Sequence, residues 1–281
     1  MQIRTDLAME AHDLARKENK GEIDGITATT DKSGDIIITQ VEISTEEAAN
    51  RIGKQCGKYI TIEAPYISYS IDDYENAITL ISDNIKKMSS DQERKTVLIV
   101  GLGNRSITPD ALGCCAVDNI LVTGNMESFF DNEINTVCAI APGVLGTTGI
   151  ETVDIIKGVV DKISPSLVIA VDALAAADIS RVANTIQIAD TGISPGGGVG
   201  NNRKGLNSET LGVKVIAIGV PTVIDAQSIS KIELPEHLAP MTVTTKDIDL
   251  IINKMSKVIA DAINTALHPT LTLREISELI V

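Results

Sequence analysis

The sequence predicts an α/β protein: an open, mainly parallel sheet with helices on both faces, plus an N-terminal α+β layer. Three observations carry this. Val97–Val100 (V-L-I-V) and Leu167–Val171 (L-V-I-A-V) are unbroken apolar runs. Such runs suit parallel strands covered on both faces. From Thr96 onward these runs alternate with segments of helical period, the pattern of an open sheet. Finally, hydrophobic residues make up 43% of the 281 positions while aromatics make up 2%, with no Trp. A large core is affordable at this length, and it must be built from Ile, Val, Leu and Ala.

The N-terminal elements follow in order. Residues 1–18 are polar and helix-prone, with Leu7, Ala11 and Leu14 on one side and Gly21 and Gly25 behind them. Residues 35–44 (D-I-I-I-T-Q-V-E-I-S) predict a strand. Thr45 then caps a helix with Glu46 and Glu47 in its first turn, ending near Gly53. Tyr59 to Ala64 predicts another short strand, and Tyr74 to Met88 a helix with Ala77, Ile78, Ile81 and Ile85 on one face.

The core begins with the strand Val97–Val100. Gly101 and Gly103 let the backbone turn, and Thr108-Pro109 predicts a cap and first position of a helix running to Leu121. Strands are expected at 136–141, 167–171, 185–189 and 215–220, with a helix from Glu151 to Ile163 closed by Ser164-Pro165. A glycine-rich loop occupies 192–204. Thr244 with Asp247 predicts a capping box. Behind it Ile248, Ile251, Ile252, Met255, Val258, Ile259, Ala262 and Ile263 make one long helical stripe. Residues 269–281 predict a short last helix.

Charge and composition exclude several function classes. A net charge of −14 argues against direct nucleic-acid binding, which needs clustered Lys and Arg. No apolar run reaches the roughly 18 residues of a membrane helix. The N-terminus has no apolar signal core, so an intracellular protein is expected. Cys56, Cys114, Cys115 and Cys138 form no C-x-x-C pair, and His12, His237 and His268 are scattered. No metal site is written in these spacings, and no cofactor is expected. The cysteines read as small hydrophobes and the histidines as surface or supporting residues.

Two aspartates stand out. Asp110 follows the V-L-I-V strand, inside the first turn of the predicted helix, and Asp172 follows L-V-I-A-V directly. Both are expected at the carboxyl edge of the sheet, where open α/β sheets place ligands. Two carboxylates held close share a proton, leaving one acid and one base. Such a pair can activate water and protonate a leaving amine. Asp110 also reads as a residue that complements a helix dipole, and strand-end carboxylates also occur in metal sites and non-enzymatic modules. Glu151 is a third acidic candidate, or a dipole partner of its own helix. Gly192–Gly196 fits G-x-S-x-G, but Pro195 lacks the N–H that the nucleophile elbow needs. G-L-G-N-R-S at 101–106 lacks the third glycine of a dinucleotide fingerprint. Cysteine chemistry at Cys114 or Cys115 lacks a histidine in a neighbouring motif.

Longer motifs carry a resemblance. V-G-L-G-N-R-S-I-T-P-D-A-L-G, A-P-G-V-L-G-T-T-G-I-E-T-V-D-I-I-K-G-V, V-I-A-V-D-A-L-A-A, I-A-D-T-G-I-S-P-G-G-G-V-G-N-N-R-K and G-V-P-T-V-I-D-A resemble the germination proteases of spore-forming bacteria. I-R-T-D-L-A-M-E and N-T-A-L-H extend the resemblance to nearly the whole chain. It implies an endopeptidase that starts the breakdown of small acid-soluble spore proteins, made as a homotetrameric, self-processing zymogen in the forespore or spore-core cytoplasm. The implied fold is similar to hydrogenase-maturation endopeptidases, and the implied catalytic pair falls on Asp110 and Asp172. Asn104, Glu151, Gly196 and Gly197 are expected to contact substrate. Many relatives carry a long insertion where this chain has only 227–240.

The resemblance also implies a processing site. Thr5–Glu10 (T-D-L-A-M-E) is similar to the family's substrate motif T-E-F/I-A-S-E, with Asp6 in the scissile position. Self-cleavage is therefore expected between Asp6 and Leu7. That leaves 1–6 as a propeptide and 7–281 as one protease domain, with an N-terminal layer at 7–94, a core at 95–225 and the C-terminal helix at 241–268.

Overall fold

The computed structural model describes residues 5–19, 21–65, 67, 71–89, 96–124, 134–194, 204–230, 234–235, 238 and 241–280. In chain order the elements are α1 (Ala8–Asn19), β1 (Ile26–Ser33), β2 (Ile36–Ile43), α2 (Glu46–Ile52), β3 (Gly57–Glu63), α3 (Ile71–Met88) and β4 (Thr96–Gly101). A 3₁₀ turn (Thr108–Asp110) leads to α4 (Leu112–Val117), β5 (Thr136–Ile140), α5 (Leu145–Thr148), α6 (Thr152–Ile163) and β6 (Leu167–Ala176). Then come β7 (Thr185–Ala189), α7 (Ser208–Leu211), β8 (Lys214–Asp225), α8 (Ala226–Ile229), β9 (Thr242–Val243), α9 (Ile248–Leu267) and α10 (Leu273–Leu279). Among the described residues no helix is long and apolar enough to cross a membrane.

One sheet runs in the order β1-β2-β3-β7-β8-β6-β4-β5, with β9 on the far end of β8. The pairs β4–β5, β4–β6 and β6–β8 are parallel. The pairs β1–β2, β2–β3, β3–β7, β7–β8 and β8–β9 are antiparallel. The sheet is therefore mixed, which corrects the expectation of a mainly parallel one. The connections give the reason. Only residues 177–184 separate β6 from β7, and a parallel crossover needs about a dozen or more. The chain therefore returns antiparallel, and β1–β3 extend the same sheet from β7.

Alternation on each strand sorts the core to two faces. Val97 and Ile99 of β4, with Ile169, Val171, Ile216 and Ile218, pack on the face covered by α3, α4 and α9. Leu98 and Val100, with Val168, Ala170 and Val215, meet Val153, Ile156 and Val160 of α6 and Leu211 of α7. At the antiparallel end, Val41, Ile43, Tyr59 and Ala189 pack beneath Ala8 and Met9 of α1 and Ala48 and Ala49 of α2.

Most element ends sit where their residues predict. Thr45 caps α2 through a hydrogen bond from Ala48 N, and Gly53 closes it in the left-handed conformation. Ser164 closes α6. Two predicted caps form differently. The Thr108 hydroxyl caps no helix: Thr108 opens the 3₁₀ turn, and Ile107 precedes it without a side-chain bond. Thr244 gives no capping box either, because its hydroxyl donates to Thr222 O at 2.7 Å and leaves Asp247 as an unassisted cap. Strand β1 went unpredicted because only Ile26 of its eight residues is buried.

Candidate active site

Asp110 is placed by a tight backbone cage. Gly103 leaves β4 at φ +101°, where a Cβ would lie 1.9 Å from Asp110 O. Only glycine fits a backbone that passes so close with that dihedral. Asn104 N, the next donor, reaches both Asp110 Oδ2 at 2.8 Å and Asp110 O at 3.1 Å. Thr222 of β8 donates its hydroxyl to Pro109 O at 2.7 Å and ties the turn to the sheet. Asp110 thus belongs to a 3₁₀ turn ahead of α4, rather than to the first turn of the α-helix.

Asp172 lies within a strand, not at its end. Leu167–Ala176 continues past it because β8 pairs all the way to Ala176↔Ile224. The neighbour β4 stops at Gly101, opposite Val171, so Asp172 is the first residue of β6 beyond that edge. It is 5% exposed, and its Oδ1 accepts from Ala173 N at 2.9 Å. Register sets it in a row across the sheet: Asp172↔Gly219, Gly219↔Gln187, Gln187↔Thr61 and Thr61↔Thr39. Thr39, Thr61, Gln187 and Asp172 are all buried. A polar row through an aliphatic sheet points to a site, because buried polar groups otherwise cost free energy. Gln187 and Thr61 escaped the sequence reading, since each looks like ordinary strand alternation until the register is known.

The two aspartates meet in one cavity of about 400 Å³, which Asn104, Thr222 and Asp6 also line. Glu151 precedes α6 as its cap residue without a side-chain bond and is not among the lining residues, although Thr152 is. Gly196, Gly197 and most of the 192–204 loop lie outside the described residues, as does His237.

Asp6 also lines a second cavity, of about 440 Å³, against Lys54, Tyr59, Gln187 and Asn207. Lys54 Nζ donates to Thr5 O at 2.9 Å and Asp6 O at 3.0 Å. Burial draws the Lys54 ammonium below its ordinary value, against the pull of Asp6 and Glu10. Leu7 is fully buried in the main core.

The other titratable candidates stand apart. Cys114 is buried and Cys115 half-buried, and desolvation pushes both thiols up, away from the reactive thiolate. His12 and His268 are buried rather than at the surface. Among the described residues no group of three or more His, Cys, Asp or Glu is arranged to hold a metal ion.

Comparison with known proteins completes the picture. The model of the germination protease family, Peptidase_A25, matches residues 4–235. A germination protease of Clostridium tetani is 39% identical over 319 positions, covering 99% of each chain. One from Caldanaerobacter subterraneus is 42% identical over 320 positions, covering 99% of this chain and 98% of its own. One from Priestia megaterium is 47% identical over 243 positions, covering 81% of this chain and 65% of its own.

Proposed function

The chain belongs to the germination protease family, and on that footing we propose that it is an aspartate-dependent endopeptidase for small acid-soluble spore proteins. One observation supports the catalytic type above the rest. Asp110, from a turn after β4, and Asp172, from the middle of β6, line one cavity although 62 positions separate them in sequence numbering. In this reading one carboxylate takes a proton from water as the oxygen attacks the scissile carbonyl. The other, protonated, gives its proton to the departing amine. Asn104 holds Asp110 through its backbone N–H, and the mouth of the cavity takes an extended peptide. Homotetrameric assembly as a precursor in the forespore belongs to the same reading; light scattering and intact mass before and after turnover test it.

The decisive experiment measures cleavage of a purified small acid-soluble spore protein. Wild-type chain should cut it with and without chelator. Asp110→Asn and Asp172→Asn should each lower kcat by about 10³-fold or more while the thermal melt stays near wild type. The double variant should lose little beyond either single one, because the pair acts as a unit. Near-normal turnover in either single variant would reject the dyad.

A further inference from the structure

Two side-chain donors converge on one peptide carbonyl at the edge of the dyad cavity. Asp6 O accepts from Lys54 Nζ at 3.0 Å and from Gln187 Nε2 at 3.1 Å. Asp6 lines the same cavity as Asp110 and Asp172. Ala175 of β6 holds the residue from the other side: Asp6 N donates to Ala175 O at 2.9 Å, and Ala175 N donates to Asp6 Oδ2 at 2.8 Å. The segment thus lies against the site as a peptide held for cutting would. The carbonyl under both donors belongs to the bond expected to be cut, Asp6–Leu7. Gln187 is oriented for this contact. Its Oε1 accepts from Ala8 N at 2.7 Å, which turns Nε2 toward Asp6 O.

The dyad chemistry leaves a task for such donors. As water attacks, its oxygen bonds to the carbonyl carbon, its proton passes to the ionised carboxylate, and the carbonyl π pair moves onto the carbonyl oxygen. The other carboxylate keeps its proton for the amine, so that oxygen stays unprotonated and carries the negative charge. On collapse the pair re-forms the C=O bond, the C–N bond breaks, and the amine nitrogen takes the reserved proton. The pair ends singly protonated, as it began, and the new carboxylic acid releases its proton to solvent. Donors at roughly 2.7–3.1 Å from such an oxyanion are each worth about 10²–10³ in kcat. Only contacts stronger in the transition state than in the ground state raise kcat. Lys54 meets that condition. Burial draws its ammonium below the ordinary value, and negative charge forming on the oxygen it touches offsets the lost solvation.

We propose that Lys54 and Gln187 form the oxyanion hole of this protease, binding the carbonyl oxygen of the scissile residue, first that of Asp6 in self-processing and then that of each substrate taking the vacated place. The inference rests on the aspartate-dyad reading above and on the cut between Asp6 and Leu7. That cut frees the segment ahead of Leu7 and leaves both donors facing substrate. Lys54 and Gln187 also line the neighbouring cavity of about 440 Å³, where Thr5 sits, so an extended peptide has room ahead of its scissile bond. Lys54 also reaches Thr5 O, at 2.9 Å, and so grips two successive carbonyls of such a peptide.

The test uses the full chain, left to process itself and then given a small acid-soluble spore protein. Lys54→Met keeps the length of the side chain and removes the donor. Gln187→Glu keeps an oxygen for Ala8 N and puts an acceptor where the donor was. Each should lower kcat by about 10²-fold or more, with KM within about threefold of wild type, and should slow release of the 1–6 fragment to a similar degree. Two inhibitors of the Thr5–Glu10 sequence separate this role from packing. One carries a phosphinate in place of the Asp6–Leu7 amide and presents a tetrahedral, anionic oxygen. The other carries a reduced CH₂–NH link and presents no oxygen. Each variant should bind the phosphinate about 10²-fold more weakly and the reduced peptide within about threefold of wild type. A purely structural role would weaken both alike. Near-normal kcat in either variant, equal loss of both inhibitors, or a processed wild-type terminus other than Leu7 overturns the inference. Where one variant fails to fold, the other decides. If Asp110→Asn and Asp172→Asn are inactive while Lys54→Met and Gln187→Glu are normal, the dyad stands and only the oxyanion hole falls. If the two aspartate variants stay active, the dyad falls and the oxyanion hole with it.

Discussion

At the scale of single residues, glycines decide where the carboxylates go. Gly113 of α4 lets the helix rest on the sheet: a Cβ there would lie 2.3 Å from Val171 O, next to Asp172. Gly103 does the same for Asp110. Gly103→Ala combines an unfavourable dihedral with a clash against backbone, and backbone cannot swing aside as a side chain can. Strain on the order of 1–3 kcal/mol is expected, read as a lower denaturant midpoint. Displacing Asp110 by about an ångström should also cost roughly 10²-fold in kcat. Gly146, whose Cβ would meet nothing within 4 Å, is the control. Equal effects of Gly103→Ala and Gly146→Ala would remove the cage argument. These residues also show what sequence can carry. Gly103 and Asp110 were legible because a tight turn demands glycine, whereas Gly101, expected to turn the chain, ends β4 and is required instead because a Cβ there would lie 2.2 Å from Gly113 O. The row formed by Thr39, Thr61 and Gln187 was not, because its meaning depends on register between strands far apart in sequence.

At the scale of elements, α9 holds together the half of the fold that carries Asp110 and Asp172. Its stripe was legible from period alone, and it packs in one core with α3 and α4. Its polar anchors were hidden. Asn264 is 1% exposed; its Oδ1 accepts from Leu121 N at 3.0 Å, and its Nδ2 donates to Asn119 O at 2.9 Å. The segment behind α4 therefore has its backbone satisfied by a side chain from α9. Tyr74 adds a link from α3 through its hydroxyl to Asp261 Oδ2 at 2.6 Å. Asn264→Leu keeps the size but strands one donor and one acceptor. Each should cost roughly 1–3 kcal/mol in urea unfolding. A loss below about 0.5 kcal/mol would show that water replaces the side chain. The sheet is the converse case. Its strands were legible one by one, but their directions were not, since the short 177–184 link governs β7 and reads as plain loop until its length is weighed against a crossover.

At the scale of the whole molecule, two buried histidines oppose the acidic surface. His12 of α1 is 2% exposed and His268, at the end of α9, is fully buried. Burial is the leading cause in each, and it draws both imidazoles below 6.5. For His12 the nearby Asp13 pulls the other way without prevailing. The unfolded chain therefore binds protons that the fold refuses. Stability from these groups is complete above about pH 6.5 and declines as pH falls below that value toward the folded pKa. The net charge of −14 acts in the opposite sense, because protonating carboxylates relieves repulsion. The two effects separate in a comparison of variants. His12→Gln and His268→Gln carry no titrating imidazole but keep the same surface. Between pH 7.5 and 5.5 the wild-type Tm should fall relative to each variant, and most relative to the pair combined, with parallel curves above pH 7. Parallel curves across the whole range would mean that neither histidine is held neutral by the fold.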